Sequence, residues 1–363
     1  MAVCYNESIQ EKFEKSKTWR DFVEKEARFR NKITCFTFVF SVLVVWVHCT
    51  NGEVFLGKSP DLEKVAAFER FLGNTVAQIA VPGFFMMSGY LFYRNFSWGN
   101  LEKKWESRIK SVLIPFLLWN FIYYLGYVIG SRLPVVTDIV GKGKVPFNWY
   151  TAVDAVLHYT YNYVFWYLYQ LILLIILAPV IYGVLKCRVL GCAVLISLFY
   201  LVQRGAMIPV LNLDALFYYG LAAFWGIHGT ECVEGSWSWK KGLAGAGAAV
   251  GAIALPIMFQ SEGIGAKVWY RAMMPQGLWL MANPDWLPGA KGWMKYNFFL
   301  YATHFALVRL INKTAARVLP GYWLFPVALF LVMPGIMVWF SSRWGAWLKR
   351  RLPRLWMLLN GGR

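Results

Sequence analysis

Apolar residues occur along the chain in long blocks that are separated by short polar stretches. Several blocks approach the ~20 residues that an α-helix needs to cross ~30 Å of hydrocarbon. The blocks interpreted as membrane spans cover residues 33–50, 71–93, 111–130, 163–184, 189–204, 214–228, 242–259, 272–288, 296–312 and 322–341. The alternation of side chains that marks the strands of a membrane barrel does not occur in them. The pattern therefore predicts an all-α polytopic membrane helix bundle with about ten transmembrane helices.

Composition and charge agree with a membrane protein. Hydrophobic residues make up 58% of the chain and charged residues only 15%, whereas a soluble domain carries about a quarter charged residues. A net charge of +18 would suggest nucleic acid in a soluble protein, but most of the 37 Lys and Arg residues lie in alternate loops and at the two ends. Because cytoplasmic loops collect Lys and Arg, this distribution predicts that both termini are cytoplasmic and that nucleic acid is not a partner.

Three regions follow from the same pattern. Residues 1–32 mix acidic and basic side chains, which predicts a cytoplasmic N-terminal segment that forms a surface helix. Residues 33–341 form the bundle, and residues 342–363 mix Trp, Leu and Arg in a basic amphipathic cytoplasmic tail that is expected to lie on the inner leaflet. The small residues of the seventh span predict close helix packing, including Gly247 and Gly251. The eighth span contains three prolines and an aspartate, which predicts a broken or re-entrant helix.

Two histidines lie within predicted spans. His48 is near the outer end of the first span, and His304 is in the middle of the ninth. An ionisable residue inside a membrane segment is a functional hypothesis by default, because the bilayer disfavours charge. The alternative for both is a histidine that hydrogen-bonds a neighbouring helix, and for His48 also one that reaches the interface.

Further candidates come from other polar or aromatic positions. Ser88 precedes Gly89, a pair that lets a ligand or another helix backbone come close. Trp166 is a candidate for the wall of a cavity, although Trp is also common at membrane interfaces. Asp285 in the eighth span is a candidate to orient a histidine or bind substrate, and Glu69 beside the first outer loop is expected to be a solvated charge, with acceptor contact as the alternative.

A basic cluster follows the second span. Its members are expected to face the cytoplasmic interface and are Arg94, Lys103, Lys104, Arg108 and Lys110. Membrane topology alone accounts for such a loop, and a cluster of this kind also binds phosphates. The four histidines and six cysteines show no paired metal-ligand spacing, so no metal is predicted.

Five stretches occur in an order that resembles one family. After the histidine that ends the first span come "FFMMSGYLF", "RIKSVLIPFLLW", "FWYLYQLILLIILAPVIY" and "YNFFLYATHFALVRLI". Together they resemble the integral-membrane acyltransferase 3 family. The resemblance implies transfer of an acyl group, often acetyl, from a coenzyme A thioester to a hydroxyl of a cell-surface glycan, a lipid or an antibiotic.

The resemblance also assigns roles to two residues. His48 matches the family's first-span histidine and is expected to be the general base, and Arg108 matches the first arginine of the basic inner motif and is expected to lead donor binding. The sequence departs from the family in two places. No arginine lies between Lys32 and His48, and Ser111 occupies the position of the second inner arginine.

The sequence therefore predicts a membrane O-acyltransferase in a bacterial cytoplasmic membrane. Its donor is expected to be acetyl-CoA or another acyl-CoA from the cytoplasm, and its acceptor a hydroxyl-bearing glycan or lipid that arrives from outside. The two departures keep an alternative open, a transporter or exporter of a small polar solute, such as an amino acid, that is built on the same kind of bundle.

Overall fold

The computed structural model describes residues 2–59, 61–133, 143–258 and 263–362, with side chains from Trp19 onward. The regular structure of these residues is helical. The helices are α1 Ala2–His48, α2 Gly52–Phe55, α3 Leu62–Asn74, α4 Ala80–Tyr93, α5 Leu101–Arg108, α6 Ile114–Gly130, α7 Trp149–Leu157, α8 Trp166–Ile176, α9 Ala178–Leu185, α10 Arg188–Gln203, α11 Leu213–His228, α12 Thr230–Glu234, α13 Trp239–Met258, α14 Ile264–Met281, α15 Asn297–Val318, α16 Leu324–Arg351 and α17 Pro353–Asn360. Short 3₁₀ segments at Val76–Ile79, Trp98–Asn100, Tyr163–Phe165, Pro284–Trp286 and Gly292–Tyr296, and a π-helical turn at Ile109–Leu113, connect several of them.

The N-terminal segment and the first span form one helix. α1 continues without a break from Ala2 to His48 over 47 residues, which corresponds to ~70 Å at ~1.5 Å per residue. The domain boundary expected after Lys32 therefore falls inside a helix. Lys32 itself is buried, and its Nζ donates a hydrogen bond of 2.7 Å to the Ala282 carbonyl oxygen.

The structure supports a multi-pass membrane protein. Within the described residues, five stretches are long and apolar enough to cross a bilayer, namely Trp19–Phe55, Leu62–Tyr93, Trp98–Gly130, Trp239–Met258 and Leu324–Arg351. The helices α8 and α9 are bent by 64° at their junction and make a sixth candidate if they count as one span. The remaining predicted spans are also helical but are shorter or more polar.

Small residues bring α4 and α11 into close contact. A Cβ atom added to Gly89 would lie 2.3 Å from the Tyr219 carbonyl oxygen, and one added to Gly226 would lie 3.0 Å from the Tyr90 carbonyl oxygen. The two helix backbones therefore approach closely, and at Gly89 a larger side chain would require one of them to shift. At Ser88-Gly89, the glycine is used for helix packing rather than for a ligand.

The glycine-rich helix α13 packs against α14, but its closest approach is not at the glycines that the sequence suggested. A Cβ added to Gly245 would lie 2.6 Å from the Gly277 carbonyl oxygen, whereas Gly247 has no described atom within 4 Å of such a Cβ and Gly251 meets only Leu255 of its own helix. Gly251 does contact α14, because its carbonyl oxygen accepts a 3.0 Å hydrogen bond from the indole of Trp269, but the close backbone approach is at Gly245. Small residues surround α13 on every side, and the sequence does not indicate which side faces α14.

The eighth predicted span is also different from expectation. α14 is continuous from Ile264 to Met281 and keeps Pro275 in its interior. The two other prolines of the predicted span, Pro284 and Pro288, lie beyond the end of the helix. The prediction of a broken or re-entrant helix was therefore wrong, because most of its helix-breaking residues belong to the following connection.

One end of the bundle gathers several of the basic segments. Arg94, which follows α4, forms ion pairs with Glu26 of α1 at 2.6 Å and with Glu234 of α12 at 2.7 Å. Lys25 of α1 pairs with Glu231 of α12 at 3.2 Å. Three segments that were predicted to share one side of the membrane are thus in direct contact.

The C-terminal residues fold back into this end of the bundle. α17 buries Trp356 and Leu359, and the indole Nε1 of Trp119 donates a 2.9 Å hydrogen bond to the Leu359 carbonyl oxygen. Gly361 has a left-handed φ of 63°, and a Cβ there would lie 2.5 Å from the Cα of Ser111. Two apolar side chains of the predicted surface tail are therefore packed against protein, beside the π-helical turn that contains Ser111, whereas Leu355 and Leu358 are exposed.

Candidate active site

The structure brings together the histidines of the first and ninth predicted spans. The ring centroids of His48, the last residue of α1, and His304, on α15, are 5.4 Å apart, and Phe305 lies 5.4 Å from His48 on another side. The Nδ1 of His304 is 2.8 Å from the Tyr301 carbonyl oxygen, so Nδ1 carries the proton and donates it. The Nε2 of His304 is buried and has no hydrogen-bond partner among the described residues. The Nε2 of His304 is therefore an unprotonated imidazole nitrogen, beside His48, that can accept a hydrogen bond.

Buried polar side chains fix the turn that follows His48. The carboxylate of Glu69 on α3 accepts hydrogen bonds from the backbone N–H groups of Asn51 and Gly52, at 2.7 and 2.8 Å. The amide Nδ2 of Asn312 on α15 donates to the Cys49 carbonyl oxygen at 3.2 Å. These contacts satisfy backbone N–H and C=O groups of the turn that directly follows α1, and they hold in place the backbone next to His48.

Sequence reasoning placed Glu69 in a solvated loop, and that expectation was wrong, because its side chain is fully buried. A signal for burial was present in the helical spacing. The buried residues of α3 are Leu62, Val65, Ala66, Glu69 and Gly73, which lie on one helix face. A glutamate on the apolar face of an amphipathic helix indicates a buried, hydrogen-bonded role rather than a free charge.

Three members of the basic cluster are held by contacts within the protein. Arg94 is occupied by two carboxylates, as described above. Lys104 donates from Nζ to the Phe92 carbonyl oxygen at 2.7 Å and thereby satisfies the C-terminal end of α4. Lys110 pairs with Glu106 one helical turn earlier at 2.6 Å. These contacts give each of the three side chains a structural role.

Arg108 has a different environment. Its guanidinium lies over the ring of Phe92, 5.8 Å from the ring centroid, and it forms no salt bridge with any described carboxylate. The residue is half-buried, whereas Lys103 is exposed on the same helix. Arg108 is therefore a cation of this cluster that points into the bundle without a counterion.

Aromatic side chains lie between Arg108 and the histidine pair. The ring of Phe92, over which Arg108 lies, is 5.2 Å from that of Tyr93, and Tyr93 is 5.9 Å from Tyr219. Tyr219 packs against Gly89, whose neighbour Ser88 contacts Tyr167. The ring of Tyr167 is 6.0 Å from that of Tyr301, and Tyr301 is 6.2 Å from His304. Arg108, Tyr219, Tyr167, Tyr301 and His304 belong to a band, the Arg108–His304 band, that extends from the basic end of the bundle toward His48.

Two further candidates border this band. Ser88 Oγ and the Tyr167 hydroxyl are 3.0 Å apart and form a hydrogen bond. Trp166 packs on Phe85 with ring centroids 6.1 Å apart, and Phe85 is 4.6 Å from Tyr167. Ser88 and Trp166 thus lie around one tyrosine of the band, on the route between the two ends of the site.

Asp285 lies elsewhere. It belongs to the 3₁₀ segment that follows α14, is exposed, and forms an ion pair of 3.4 Å with Arg28. Arg28 and His48 are twenty residues apart on α1, a separation of ~30 Å along the helix axis. Asp285 is therefore not placed to orient either histidine. Within the described residues, no group of three His, Cys, Asp and Glu side chains is placed to hold a metal ion.

The family comparison covers this whole arrangement. The model of the acyltransferase domain of acyltransferase 3 matches residues 33–342, which include His48, the basic cluster and His304. The chain belongs to the acyltransferase 3 family. No curated protein and no solved structure matches it. Family membership confirms the resemblance seen in the sequence and makes this multi-pass membrane protein an acyltransferase.

Proposed function

We propose that this acyltransferase moves an acyl group, with acetyl as the first candidate, from a cytoplasmic coenzyme A thioester to a hydroxyl of a cell-surface glycan or lipid. The observation that carries the proposal is the contact between His48 and His304 at one end of a band of residues whose other end is Arg108. A base and a phosphate-binding cation, joined through the bundle, suit a donor and an acceptor that approach from opposite sides of a membrane.

The chemistry assigned to His48 is general-base catalysis. The neutral imidazole takes the proton of the acceptor hydroxyl as its oxygen attacks the thioester carbonyl carbon. The carbon–sulfur bond then breaks, and the departing thiolate receives the proton from the imidazolium. General-base help of this kind contributes ~10²–10⁴-fold to the rate. His304, whose Nε2 is free, is assigned to orient the His48 ring by accepting a hydrogen bond from it.

The donor site is assigned to the basic end. Arg108 is the lead contact for the phosphates of coenzyme A, because its guanidinium has no carboxylate partner and charge-assisted bonds to phosphate are strong. Lys103, which is exposed, and Lys110, whose ion pair with Glu106 is exposed to solvent, are assigned to the same phosphates. Arg94 and Lys104 instead hold α4 in place. The pantetheine arm then follows the Arg108–His304 band, and because Tyr219 is buried there, side chains of the band must move to admit it.

Topology completes the proposal. We assign the ten spans predicted from the sequence as ten membrane crossings. The basic end and both termini are placed in the cytoplasm, and His48 is placed toward the outside. The protein is placed in a cytoplasmic membrane, where the donor is made on the side of Arg108. Family membership favours this enzyme over the exporter that the sequence left open.

The test uses pure protein in sealed vesicles with acetyl-labelled acetyl-CoA on the basic side and candidate hydroxyl acceptors on the other. Wild-type protein is expected to release thiol and label the acceptor, and His48→Gln is expected to do neither. The matched control is His158→Gln, because His158 is exposed and bonded to Asp154 at 2.9 Å. Full activity of the His48 variant refutes the assigned base, and solute flux without thioester consumption refutes the reaction.

A further inference from the structure

Two cavities meet beside α1 at the basic end of the bundle. The first, the polar cavity, has a volume of about 440 Å³ and extends along α1 from Asp21 to Lys32. The second, the apolar cavity, has a volume of about 140 Å³ and extends from Ile33 to Phe40, further toward His48. Both are bounded by the same four residues, Cys232, Val233, Trp279 and Leu280. The polar cavity and the apolar cavity are therefore neighbours that share one wall.

Several charges around the polar cavity neutralise one another. Lys25 pairs with Glu231 at 3.2 Å, and Arg28 pairs with Asp285 at 3.4 Å. Glu24 is 4.0 Å from Arg28. The mouth of the polar cavity is thus already supplied with carboxylates, which disfavour a ligand that carries many negative charges.

Two lysines of the polar cavity are different. Neither Lys32 nor Lys241 has a described carboxylate within 4.0 Å, and each donates instead to a backbone carbonyl oxygen, Lys32 to Ala282 at 2.7 Å and Lys241 to Glu231 at 3.1 Å. Lys32 is only 6% exposed and lies over the ring of Trp279. Both lysines line the polar cavity, so their like charges face the same space. The cost of burying the Lys32 ammonium without a carboxylate would be offset by a bound anion.

We infer that the adjacent cavities together bind a membrane lipid with a single phosphate on its headgroup, with the phosphate against Lys32 and Lys241 and an aliphatic chain in the apolar cavity. The apolar cavity has the size that holds about six carbon atoms, since an apolar cavity of ~150 Å³ binds benzene. Its walls at Phe36, Met86 and Met87 offer only hydrophobic contacts. This site lies along α1 and is separate from the donor contact assigned to Arg108.

The test measures binding alone, without acyl transfer. Purified protein in a neutral detergent is titrated with lysophosphatidic acid, which has one phosphate and one chain, and binding is followed by native mass spectrometry and by the thermal midpoint. Lysophosphatidylcholine supplies the same chain with a zwitterionic headgroup, inorganic phosphate supplies the anion without a chain, and coenzyme A tests whether the site belongs to the donor. The variants are Lys32→Gln and Lys241→Gln. Lys240→Gln is the matched control, because Lys240 is exposed over Trp239.

Lysophosphatidic acid is expected to bind saturably, and each glutamine variant at position 32 or 241 is expected to weaken it about 10-fold or more, the value of one charge-assisted hydrogen bond. Lys240→Gln should bind as wild type does, and lysophosphatidylcholine and inorganic phosphate should bind at least about 10-fold more weakly. If Lys32→Gln fails to fold, the lipid affinity of Lys241→Gln tests the inference, because Lys241 is only half-buried. Equal affinity for the two lipids, undiminished binding by the variants, or displacement by coenzyme A overturns the inference.

Discussion

Glu69 and Gly52 are joined by a hydrogen bond of 2.8 Å between a buried carboxylate oxygen and a backbone N–H. Through this bond and the neighbouring one to Asn51, a side chain of α3 fixes the first residues after the end of α1. His48 is the last residue of that helix. The position of the candidate base therefore depends on a residue that takes no part in the chemistry.

Glu69→Ala is expected to impair both stability and transfer. It leaves two buried N–H groups without a partner, at ~1–3 kcal/mol each, and a shift of about 1 Å in His48 lowers the rate ~10²-fold. Glu69→Gln retains an acceptor oxygen and should be milder. Thermal midpoints and kcat/KM are compared with Glu63→Ala, on the exposed face of α3. If Glu63→Ala lowers the thermal midpoint and kcat/KM as much as Glu69→Ala does, a specific role for Glu69 is contradicted.

His304→Asn is expected to lower kcat by about 10- to 100-fold, less than the 10²–10⁴-fold of a general base itself. The asparagine amide replaces the Nδ1–H donor to the Tyr301 carbonyl oxygen but offers no nitrogen in the position of Nε2. The KM for the donor and the thermal midpoint should stay near the wild-type values. Steady-state kinetics decide the matter, and an unchanged kcat would show that Nε2 has no part in orienting His48.

Arg108→Ala and Arg94→Ala are expected to have opposite signatures. Removal of Arg108 takes away a phosphate contact and should raise the KM for acyl-CoA about 10-fold or more, with little effect on unfolding. Removal of Arg94 leaves Glu26 with only Arg30 and Glu234 with only the Tyr90 hydroxyl as partners. Because the Arg94 ion pairs are partly buried, their loss should destabilise the protein by less than the ~3–5 kcal/mol of a fully buried pair, but measurably. Donor titration and thermal unfolding of both variants separate the roles. A stable Arg94→Ala variant with a raised KM for acyl-CoA would instead show that Arg94 contacts the donor.

Gly89→Ala is expected to destabilise the protein, because the added Cβ would lie 2.3 Å from the Tyr219 carbonyl oxygen and would force α4 and α11 apart. Gly247→Ala is the control, since no described atom lies within 4 Å of its added Cβ. In a helix this second change should be neutral or stabilising by ~0.5–1 kcal/mol. Thermal midpoints in detergent test the pair, and equal stability of the two variants would contradict the close packing at Gly89.

Much of the fold was readable from the sequence because it depends on local properties. A run of about twenty apolar residues in a bilayer has to be helical, since its backbone polar groups have no water to bind. The same argument placed His48 at the end of a helix, where the structure has it. Small residues predicted close packing, but at Gly247 rather than at Gly245, because the partner surface is not local information.

The arrangement of the site was less accessible. His48 and His304 were identified separately, yet their contact joins helices that are distant in sequence, and no spacing rule predicts it. Arg94 was assigned to the donor because it lies in a basic loop, whereas its two carboxylate partners come from α1 and α12. Position in the sequence gives the charge of a side chain, but only the fold determines whether another residue already neutralises it.

The uninterrupted course of α1 makes the chemistry sensitive to helical phase. The same helix carries Glu26, which is anchored by Arg94, and His48, which faces His304. Each residue of an α-helix turns the chain by ~100° and advances it by ~1.5 Å. A single-residue insertion between these two points would therefore swing the imidazole away from its neighbour while every side chain of the site was still present.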